Sequence, residues 1–429
     1  MSMAYRGDVY PYVPVANELA GRGHEVTFVV PREFHSEFAN ERFACVHSGS
    51  DFSPRELNKH GKWLARWGMR FGGARLLELY LGTFTVPFLE EQFTAVHDAL
   101  DGADALFCHS TAGIVGSMAA EACSAPWISG DLFPMLIPTA STTPFPGLPS
   151  LGPMLNRVSW QMARSTRPYR LSYADAFADF RRAKGLEDTP RSMIDLRISP
   201  HLNLGMASPK YVPVADDWPD NYVMTGFTSW DSNAAPMPDG LEEFLGPDPS
   251  TGHGTYARNP EAPILITLGT LAAAAHPERF VDAVKAADAV GLRTVTLCST
   301  EDSVAAFGRE GFDPQRHGQW AFAPLGNVLG RVRGVVHAGS HGTNSAALAA
   351  GLPSVIMPSI FDQVWHANRQ EKLNTGIHVR NPDQLDGAMN RLAHDTSLGH
   401  SASNFGLQLA EEPNGSITAA DRIEQFLEN

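Results

Sequence analysis

Residues 334–363 read GVVHAGSHGTNSAALAAGLPSVIMPSIFDQ. A buried-strand pattern runs into His337, and a glycine-containing turn then leads into a helical pattern rich in alanine. Gly339 and Gly342 allow the backbone amides of this turn to approach a ligand closely. Because a helix N-terminus offers free N–H groups and the positive end of the helix dipole, the turn predicts a phosphate or diphosphate site, to which His337 adds a donor. A tight strand-to-helix turn with a purely structural histidine has the same pattern, and this alternative stays open.

Strands and helices alternate along both halves of the chain. HEVTFVV (24–30) and ADALFCHS (103–110) are strand-like in the first half, as are PILITL (263–268) and LRTVTL (292–297) in the second, with helical segments between them. Alternation of this kind predicts parallel sheets covered by helices on both faces. We therefore expect an α/β protein of two doubly wound, Rossmann-like domains facing each other across a cleft, with ligands beyond the carboxyl ends of the strands.

Residues 228–262 mark the boundary between the two halves. This segment consists mostly of Gly, Pro, Ser, Asn and Asp, which is typical of a linker that carries an insertion. We expect an N-terminal domain over 1–227, the linker over 228–262, a C-terminal domain over 263–395, and a helical segment over 396–429 that packs back toward the N-terminal domain.

The composition excludes several classes of protein. The chain has 429 residues, a formal net charge of −14 and 19% charged residues, and it lacks the Lys/Arg runs of a nucleic-acid binder. Its four cysteines follow no metal or redox spacing, which indicates free thiols in a reducing compartment. No run reaches the roughly 18 to 20 apolar residues of a membrane span, so we expect a cytoplasmic protein and leave peripheral membrane contact open.

Asp8 stands near the start of the chain, in RGDVYPYVPVANELAG (6–21). The tripeptide Arg-Gly-Asp is an adhesion motif, but three residues match easily by chance. An aspartate directly before a helix is either a helix cap or a group that does chemistry. Residues 1–5 are too few for a typical strand of about five or six residues with its lead-in, so we expect a short first strand and either a natural start farther upstream or a labile first domain.

Residues 334–363 also suggest a serine hydrolase, and a catalytic metal is a further possibility for the chain. Ala338–Gly342 resembles a nucleophile elbow whose first glycine is replaced by alanine, so Ser340 with Asp362 and His394 would make a serine hydrolase. The spacing from Ser340 to Asp362 is short for that fold, and no His-Gly-Gly loop precedes it. No HExxH, CxxC or Asp-x-Asp motif supports a catalytic metal.

Three segments resemble GT-B fold glycosyltransferases of the UDP/TDP-dependent family that includes the glycopeptide-antibiotic, macrolide and sterol glycosyltransferases. Residues 6–28 resemble the opening of these enzymes, and residues 208–227 resemble their segment leading into the linker. Residues 322–369, which begin FAPLGNVLG and end VWHANR, resemble their nucleotide-sugar signature.

The resemblance implies an N-terminal acceptor-binding domain and a C-terminal donor-binding domain. Near the diphosphate, the implied donor contacts are Thr343, Gly339, Gly342 and the phosphate-binding His337, with Thr270 on the opposite loop. Phe322 would stack on the base. Asp362 and Gln363 would bind the sugar hydroxyls. Ala338, Leu325 and His341 depart from the family pattern, which leaves the donor preference open.

The resemblance also implies a catalytic pair in the first half. Asp8 would be the general base that takes the proton of the acceptor hydroxyl, although many relatives carry histidine at that position. His109 ends a strand of the same domain, where relatives with a histidine base carry an aspartate. His109 therefore either hydrogen-bonds Asp8 or is merely packed beside it.

Aromatic residues of the first half predict where the acceptor binds. Trp63, Trp67, Phe133 and Phe145 would line an apolar pocket, although helix packing gives the same composition. The resemblance implies an inverting, metal-independent hexosyltransferase without a cofactor, because the UDP- or TDP-sugar is a co-substrate. The acceptor would be a hydroxyl of a natural product, sterol or glycolipid. The alternative is a nucleotide-sugar-binding protein that has lost catalysis.

Overall fold

The structure is a computed structural model, and it describes most of the chain. The described residues are 6–51, 59, 62, 81–134, 137–144, 149–165, 174–187, 195, 197–230, 236–246, 261–298, 300–359 and 362–428. The chain divides into two compact units. Unit 1 comprises Met1–Ser53, Phe71–Trp230 and Pro413–Asn429, and unit 2 comprises Pro54–Arg70 and Asp231–Glu412.

The strands are short and contain mostly apolar residues. In chain order they are β1 (Thr27–Val30), β2 (Ala44–His47), β3 (Leu106–His109), β4 (Trp127–Asp131), β5 (Leu202–Gly205), β6 (Tyr222–Met224), β7 (Ile264–Thr267), β8 (Thr294–Leu297), β9 (His317–Trp320), β10 (Val335–His337), β11 (Ser354–Ile356) and β12 (Gly376–His378). Every pairing between them is parallel.

Helices follow most strands. In chain order they are α1 (Arg6–Val9), α2 (Val13–Gly21), α3 (Glu33–Glu37), α4 (Leu89–Ala99), α5 (Gly113–Ala122), α6 (Pro153–Ser165), α7 (Ala174–Ala183), α8 (Leu241–Leu245), α9 (Gly269–Ala275), α10 (Glu278–Ala289), α11 (Glu301–Gly308), α12 (Leu325–Leu329), α13 (His341–Ala349), α14 (Gln363–Lys372), α15 (Leu385–His394), α16 (Thr396–Ala410) and α17 (Gly415–Leu427). None of the helices in the described ranges is long and apolar enough to cross a membrane.

Unit 1 contains two parallel sheets. Strands β1 and β2 form one pair, and β3 to β6 form a four-stranded sheet in chain order. The core includes Val13 and Ala16 on one face of α2, together with Phe28 of β1 and Leu204 of β5. The strand expected at residues 1–5 lies outside the described residues.

Helix α17 completes this core although it comes from the far end of the chain. Ala419 and Ile423 are buried in the same cluster as Val13 and Ala16 of α2. At the surface, Arg22 lies 2.7 Å from a carboxylate oxygen of Asp421. Unit 1 is therefore built from both terminal regions of the sequence.

Unit 2 contains a six-stranded parallel sheet in the order β12-β11-β10-β7-β8-β9. Read from β7 as the first strand, this is the 3-2-1-4-5-6 order of doubly wound dinucleotide-binding domains. The chain reverses direction across the sheet between β7 and β10, and a ligand crevice opens at the carboxyl ends of strands at such a point.

Apolar side chains cover both faces of this sheet. One cluster packs α10 and α15 on one face, with Phe280 and Met389 fully buried. A second cluster on the other face includes Leu265, Val295 and Leu352. Helix α8 joins that second cluster through Leu241. The sequence predicts a linker there, because five residues between two glycines are too few to show helical periodicity.

The sequence correctly predicts an α/β protein with parallel sheets covered by helices. The repeated succession of strand and helix is the signal that made this prediction reliable. Helices α6 and α7 lie on either side of residues 166–173, which are outside the described ranges.

Candidate functional site

The crevice of unit 2 lies where the loops after β7 and β10 leave the sheet. His337 at the end of β10 is in register with Thr267 at the end of β7. The backbone of Gly269, two residues after β7, has φ +67°, and a Cβ placed on it would lie 3.9 Å from the hydroxyl of Ser340. The two loops are therefore neighbours, and the parallel register of β7 and β10 brings them together. Thr270 follows in α9, and its side chain lies outside the described part of the structure.

The turn between β10 and α13 requires glycine at its centre. Gly339 has φ +89°, a conformation that L side chains rarely adopt, and a Cβ there would approach Ile356 to 3.0 Å and the carbonyl oxygen of Gln363 to 3.1 Å. Gly342 differs, because a Cβ built on it would meet nothing within 4 Å. The space beside Gly342 is therefore open to a ligand.

Helix α13 begins without a side-chain cap. Ser340 is its N-cap residue in extended conformation, and in the described structure its hydroxyl accepts no hydrogen bond from the helix amides. The Ser340 hydroxyl instead lies 3.5 Å from that of Thr343. The first amides of α13 therefore remain available to an anion, and the helix dipole favours negative charge there.

His337 is fully buried at the same turn. Its Nδ1 atom accepts a hydrogen bond of 3.0 Å from the backbone N–H of Gly339, so the neutral ring carries its proton on Nε2. Among the residues that the structure describes, Nε2 has no hydrogen-bond partner. Burial, and then the nearby His366, lower the pKa of His337 to about 3. A neutral N–H donor without a protein acceptor therefore stands beside the helix N-terminus.

Asp362 and Gln363 start helix α14, one strand along the sheet. Oδ2 of Asp362 lies 3.4 Å from Nε2 of His366, and the Asp362 side chain is 29% exposed. Gln363 is buried, and its Oε1 accepts a 2.8 Å hydrogen bond from the backbone N–H of Ser359. The carboxylate is thus available to a ligand, while the Gln363 carbonyl oxygen already holds the preceding loop.

Phe322 follows strand β9 on the other side of the sheet. It is 53% exposed, whereas the neighbouring Ala323 is buried. Pro324 then begins the turn into helix α12. An exposed aromatic ring at this place is sterically able to stack on a planar base.

The catalytic pair predicted in unit 1 is brought together in space. Asp8 lies within α1, and its Oδ1 atom is 3.9 Å from Nε2 of His109 at the end of β3. Nδ1 of His109 accepts a 3.1 Å hydrogen bond from the backbone N–H of Thr111. The proton of the neutral ring is therefore on Nε2, on the side of Asp8. The Tyr12 ring packs edge-on against His109, with centroids 5.8 Å apart.

A buried polar network, which was not predicted from the sequence, lies next to this pair. Asp131 ends β4 and is 7% exposed, and its Oδ1 lies 3.3 Å from Nη2 of Arg197. The same Arg197 nitrogen donates a 2.7 Å hydrogen bond to Ser110, the residue after His109. Burial raises the pKa of Asp131, and the charge of Arg197 opposes that rise. The one available signal was an aspartate at the end of an apolar strand.

The predicted acceptor residues are only partly described. Phe133 follows β4 and is 8% exposed, which places it in the interior of unit 1. Trp63, Trp67 and Phe145 lie outside the described residues. Within the described ranges, no group of three or more His, Cys, Asp or Glu side chains is arranged to hold a metal ion, and metal independence stays a prediction.

The sequence has relatives among enzymes that transfer sugars. Residues 314–424 match the family model described as Erythromycin biosynthesis protein CIII-like, C-terminal domain. The chain is 26% identical to O-mycaminosyltylonolide 6-deoxyallosyltransferase of Streptomyces fradiae over 100% of this chain and 97% of that enzyme. It is 24% identical to sterol 3-beta-glucosyltransferase of Yarrowia lipolytica over 100% of this chain, which spans only 28% of that longer protein.

Solved structures agree with this relationship. The calicheamicin glycosyltransferase CalG4 superposes with a TM-score of 0.65 at 20% identity, over 99% of this chain and 96% of the other. Glycosyltransferase VinC, in complex with dTDP, gives a TM-score of 0.63 at 18% identity, over 98% and 96% of the two chains. The chain has the GT-B fold, and its sequence is similar to glycosyltransferases along its whole length.

The predicted GT-B fold is confirmed. The matched family model covers β10, α13, β11 and α14, which carry His337, Gly342 and Asp362. The individual roles of these residues, and those of Asp8 and His109, stay predictions.

Proposed function

We propose that this glycosyltransferase homologue is an inverting, metal-independent enzyme that moves a hexose from a UDP- or TDP-sugar to a hydroxyl of a lipophilic acceptor. The observation that carries the proposal is the donor turn of unit 2. There the buried Nε2–H of His337 stands beside the uncapped N-terminus of α13. A diphosphate supplies the acceptor oxygens that both features lack.

The donor turn also acts on the reaction itself. As the bond between the anomeric carbon and the diphosphate oxygen breaks, negative charge grows on the leaving nucleoside diphosphate. The amides near Gly342 and Thr343 are held in place by the helix before the reaction begins, so they stabilise this charge without reorganising. The neutral His337 donates to the same group and adds no competing proton, because burial keeps its pKa near 3.

Asp8 supplies the base. The acceptor oxygen attacks the anomeric carbon from the face opposite the diphosphate, and its proton passes to the Asp8 carboxylate. One C–O bond forms, the other C–O bond breaks, and the anomeric configuration inverts. A base in this position contributes on the order of 10²–10⁴ in rate.

His109 orients that base. With Nδ1 occupied by the Thr111 amide, the Nε2–H points toward Asp8 and favours its ionised form. The 3.9 Å separation is longer than a hydrogen bond, and hydrogen bonds at catalytic groups commonly tighten when substrate binds.

The relatives narrow the substrate class. VinC binds dTDP, and this supports a TDP-sugar over a UDP-sugar as the first donor to test. The two curated relatives act, by name, on a tylonolide glycoside and on sterols, which are alcohols of low polarity. Phe133 is the described member of the predicted apolar acceptor pocket.

The test is a panel of nucleotides and nucleotide-sugars read by thermal shift, followed by transfer assays with macrolide aglycones and sterols. A ligand that binds only the folded protein raises its apparent stability by mass action. We expect TDP and at least one TDP-hexose to raise the melting temperature, and transfer with inversion to persist in EDTA. Donor binding without transfer or donor hydrolysis would instead indicate a binding protein, and transfer abolished by EDTA would contradict metal independence.

A further inference from the structure

We propose that His366 is a positioning residue for sugar recognition, which fixes the Asp362 carboxylate toward the hexose of the donor. The inference rests on the proposed function, because it assumes that Asp362 contacts the sugar. It concerns a residue that does not itself touch the ligand.

The first support is the geometry of the pair. Asp362 is the N-cap residue of α14, and His366 lies one turn further along the helix. The backbone N–H of His366 donates to the Asp362 carbonyl oxygen at 2.9 Å, so the main chain holds the two residues in this relation. Nε2 of the ring then lies 3.4 Å from Oδ2 of the carboxylate.

The second support is the difference in burial between the partners. The side chain of His366 is 1% exposed and that of Asp362 is 29% exposed. The imidazole is therefore the inner partner and the carboxylate the outer one. One carboxylate oxygen faces the ring, while the exposed part of the group is free to accept hydrogen bonds from sugar hydroxyls. The pair lies within ion-pair distance without forming a hydrogen bond in this structure, and the ring restricts the positions open to the carboxylate. A side chain restricted in this way loses less conformational freedom when a ligand binds.

The third support is the packing that holds the ring. The His366 ring meets Trp365 edge-on, with centroids 5.4 Å apart. It also meets the His341 ring, with centroids 6.1 Å apart and planes at 57°. His341 is the first residue of α13, the helix whose N-terminal amides are proposed to bind the diphosphate. The ring of His366 thus lies between the sugar-binding carboxylate and the phosphate-binding turn.

The electrostatics of the cluster agree with this placement. Burial lowers the pKa of both His337 and His341, and the nearby His366 lowers it further, while Asp362 acts in the opposite direction on His341. The charges of His366 and Asp362 therefore reach the residues of the phosphate turn.

The experiment compares TDP with a TDP-hexose in binding to the full chain by calorimetry. The His366→Phe variant keeps an aromatic ring in the packing but removes the nitrogen that faces Asp362. We expect it to bind TDP as the wild type does and to bind the TDP-hexose roughly tenfold more weakly, because the ring nitrogen no longer positions the carboxylate. The His366→Gln variant keeps an N–H donor, and we expect it to recover most of that loss.

A matched control exists in the same unit. His317 is a buried histidine whose Nε2 lies 3.1 Å from Asp288, at the opposite end of the sheet strands from the donor turn. His317→Phe removes a similar pair, and we expect this variant to bind both TDP and the TDP-hexose as tightly as the wild type does. An equal loss for both ligands in His366→Phe would overturn the inference and assign His366 a structural role.

A double-mutant cycle separates this inference from the proposed function. If His366 acts through Asp362, His366→Phe should add little to the loss caused by Asp362→Asn. Additive losses would overturn the positioning role. If Asp362→Asn leaves TDP-hexose binding unchanged, the role of Asp362 in the proposed function fails, and the inference fails with it. If His366→Phe does not fold, His366→Gln and His366→Asn with the same two ligands decide the question.

Discussion

Nε2 of His109 lies 3.9 Å from Oδ1 of Asp8, while Nδ1 of the same ring is occupied by the backbone N–H of Thr111. The backbone of one loop therefore determines which nitrogen of His109 faces the carboxylate. A histidine oriented in this way can donate to Asp8. It cannot take a proton from the acceptor at Nε2, because that nitrogen already carries one. This division of roles supports the proposal that the carboxylate is the base.

The Asp8→Asn variant is expected to lose turnover by roughly 10²-fold or more, because an amide cannot accept the acceptor proton. Donor affinity should hardly change, since the proposed donor contacts are all in unit 2. Stability should change by about 1 kcal/mol or less, as for a partly exposed ion pair. Calorimetry of donor binding and a transfer assay on the same preparation measure both. Turnover within a few-fold of the wild type would remove Asp8 from the mechanism.

The His109→Phe variant keeps the ring contact with Tyr12 and removes the Nε2–H. We expect turnover to fall roughly tenfold, less than for Asp8→Asn, with donor affinity unchanged. In an Asp8→Asn background, the same substitution should have little further effect, because its target is gone. Equal losses in both backgrounds would show that His109 acts independently of Asp8.

Gly342→Ala tests the anion site without a change in the core. Since a Cβ at Gly342 meets nothing within 4 Å, the variant should fold with wild-type stability. Its methyl group occupies the space where the diphosphate is proposed to lie, so we expect at least tenfold weaker TDP binding. Gly387→Ala in α15 is the matched control, because its Cβ is equally unhindered. Unchanged TDP affinity in Gly342→Ala would contradict the placement of the diphosphate.

His337→Ala and Asp362→Ala should weaken donor binding in different ways. His337 is proposed to contact the phosphate, so its loss should affect TDP and TDP-hexose alike. Asp362 is proposed to contact the sugar, so its loss should affect the TDP-hexose and spare TDP. Calorimetric titration of each variant with both ligands gives the comparison. The same loss for both ligands in Asp362→Ala would contradict the role given to it.

The buried histidines of unit 2 predict how stability depends on pH. The pKa values of His337 and His341 lie at about 3, below the ordinary value of 6.5, mainly because of burial. The unfolded chain therefore binds more protons than the folded one between these values, and stability falls as pH drops from about 6.5 toward 3. We expect His341→Ala to flatten this dependence, which denaturant unfolding at several pH values measures. The same slope in variant and wild type would contradict the prediction.

Local patterns in the sequence predicted the fold and the strand, turn and helix that form the proposed donor site. The β-branched strand before His337, the turn at Gly339 and the helix after it all lie within a few residues, and the structure has each of them. The approach of Asp8 and His109 depends on residues about a hundred positions apart, so only a resemblance could suggest it.

Other features had only a weak signal in the sequence. Arg197 is an ordinary surface residue in sequence, and its burial against Asp131 follows from tertiary packing alone. The relation between Asp362 and His366 was visible as an i, i+4 pair, yet its meaning depends on the burial of the ring. Sequence patterns locate the backbone of a site better than they identify the charged groups that support it.

The packing of α17 into unit 1 has a consequence for how the protein is made. A ribosome releases Val13 and Ala16 long before Ala419 and Ile423, which share their hydrophobic cluster. All of unit 2 between Asp231 and Glu412 is synthesised in the interval. The core of the first unit therefore closes after translation of the second unit is complete. Until then, the apolar face of α2 in the nascent chain lacks the cover that Ala419 and Ile423 provide.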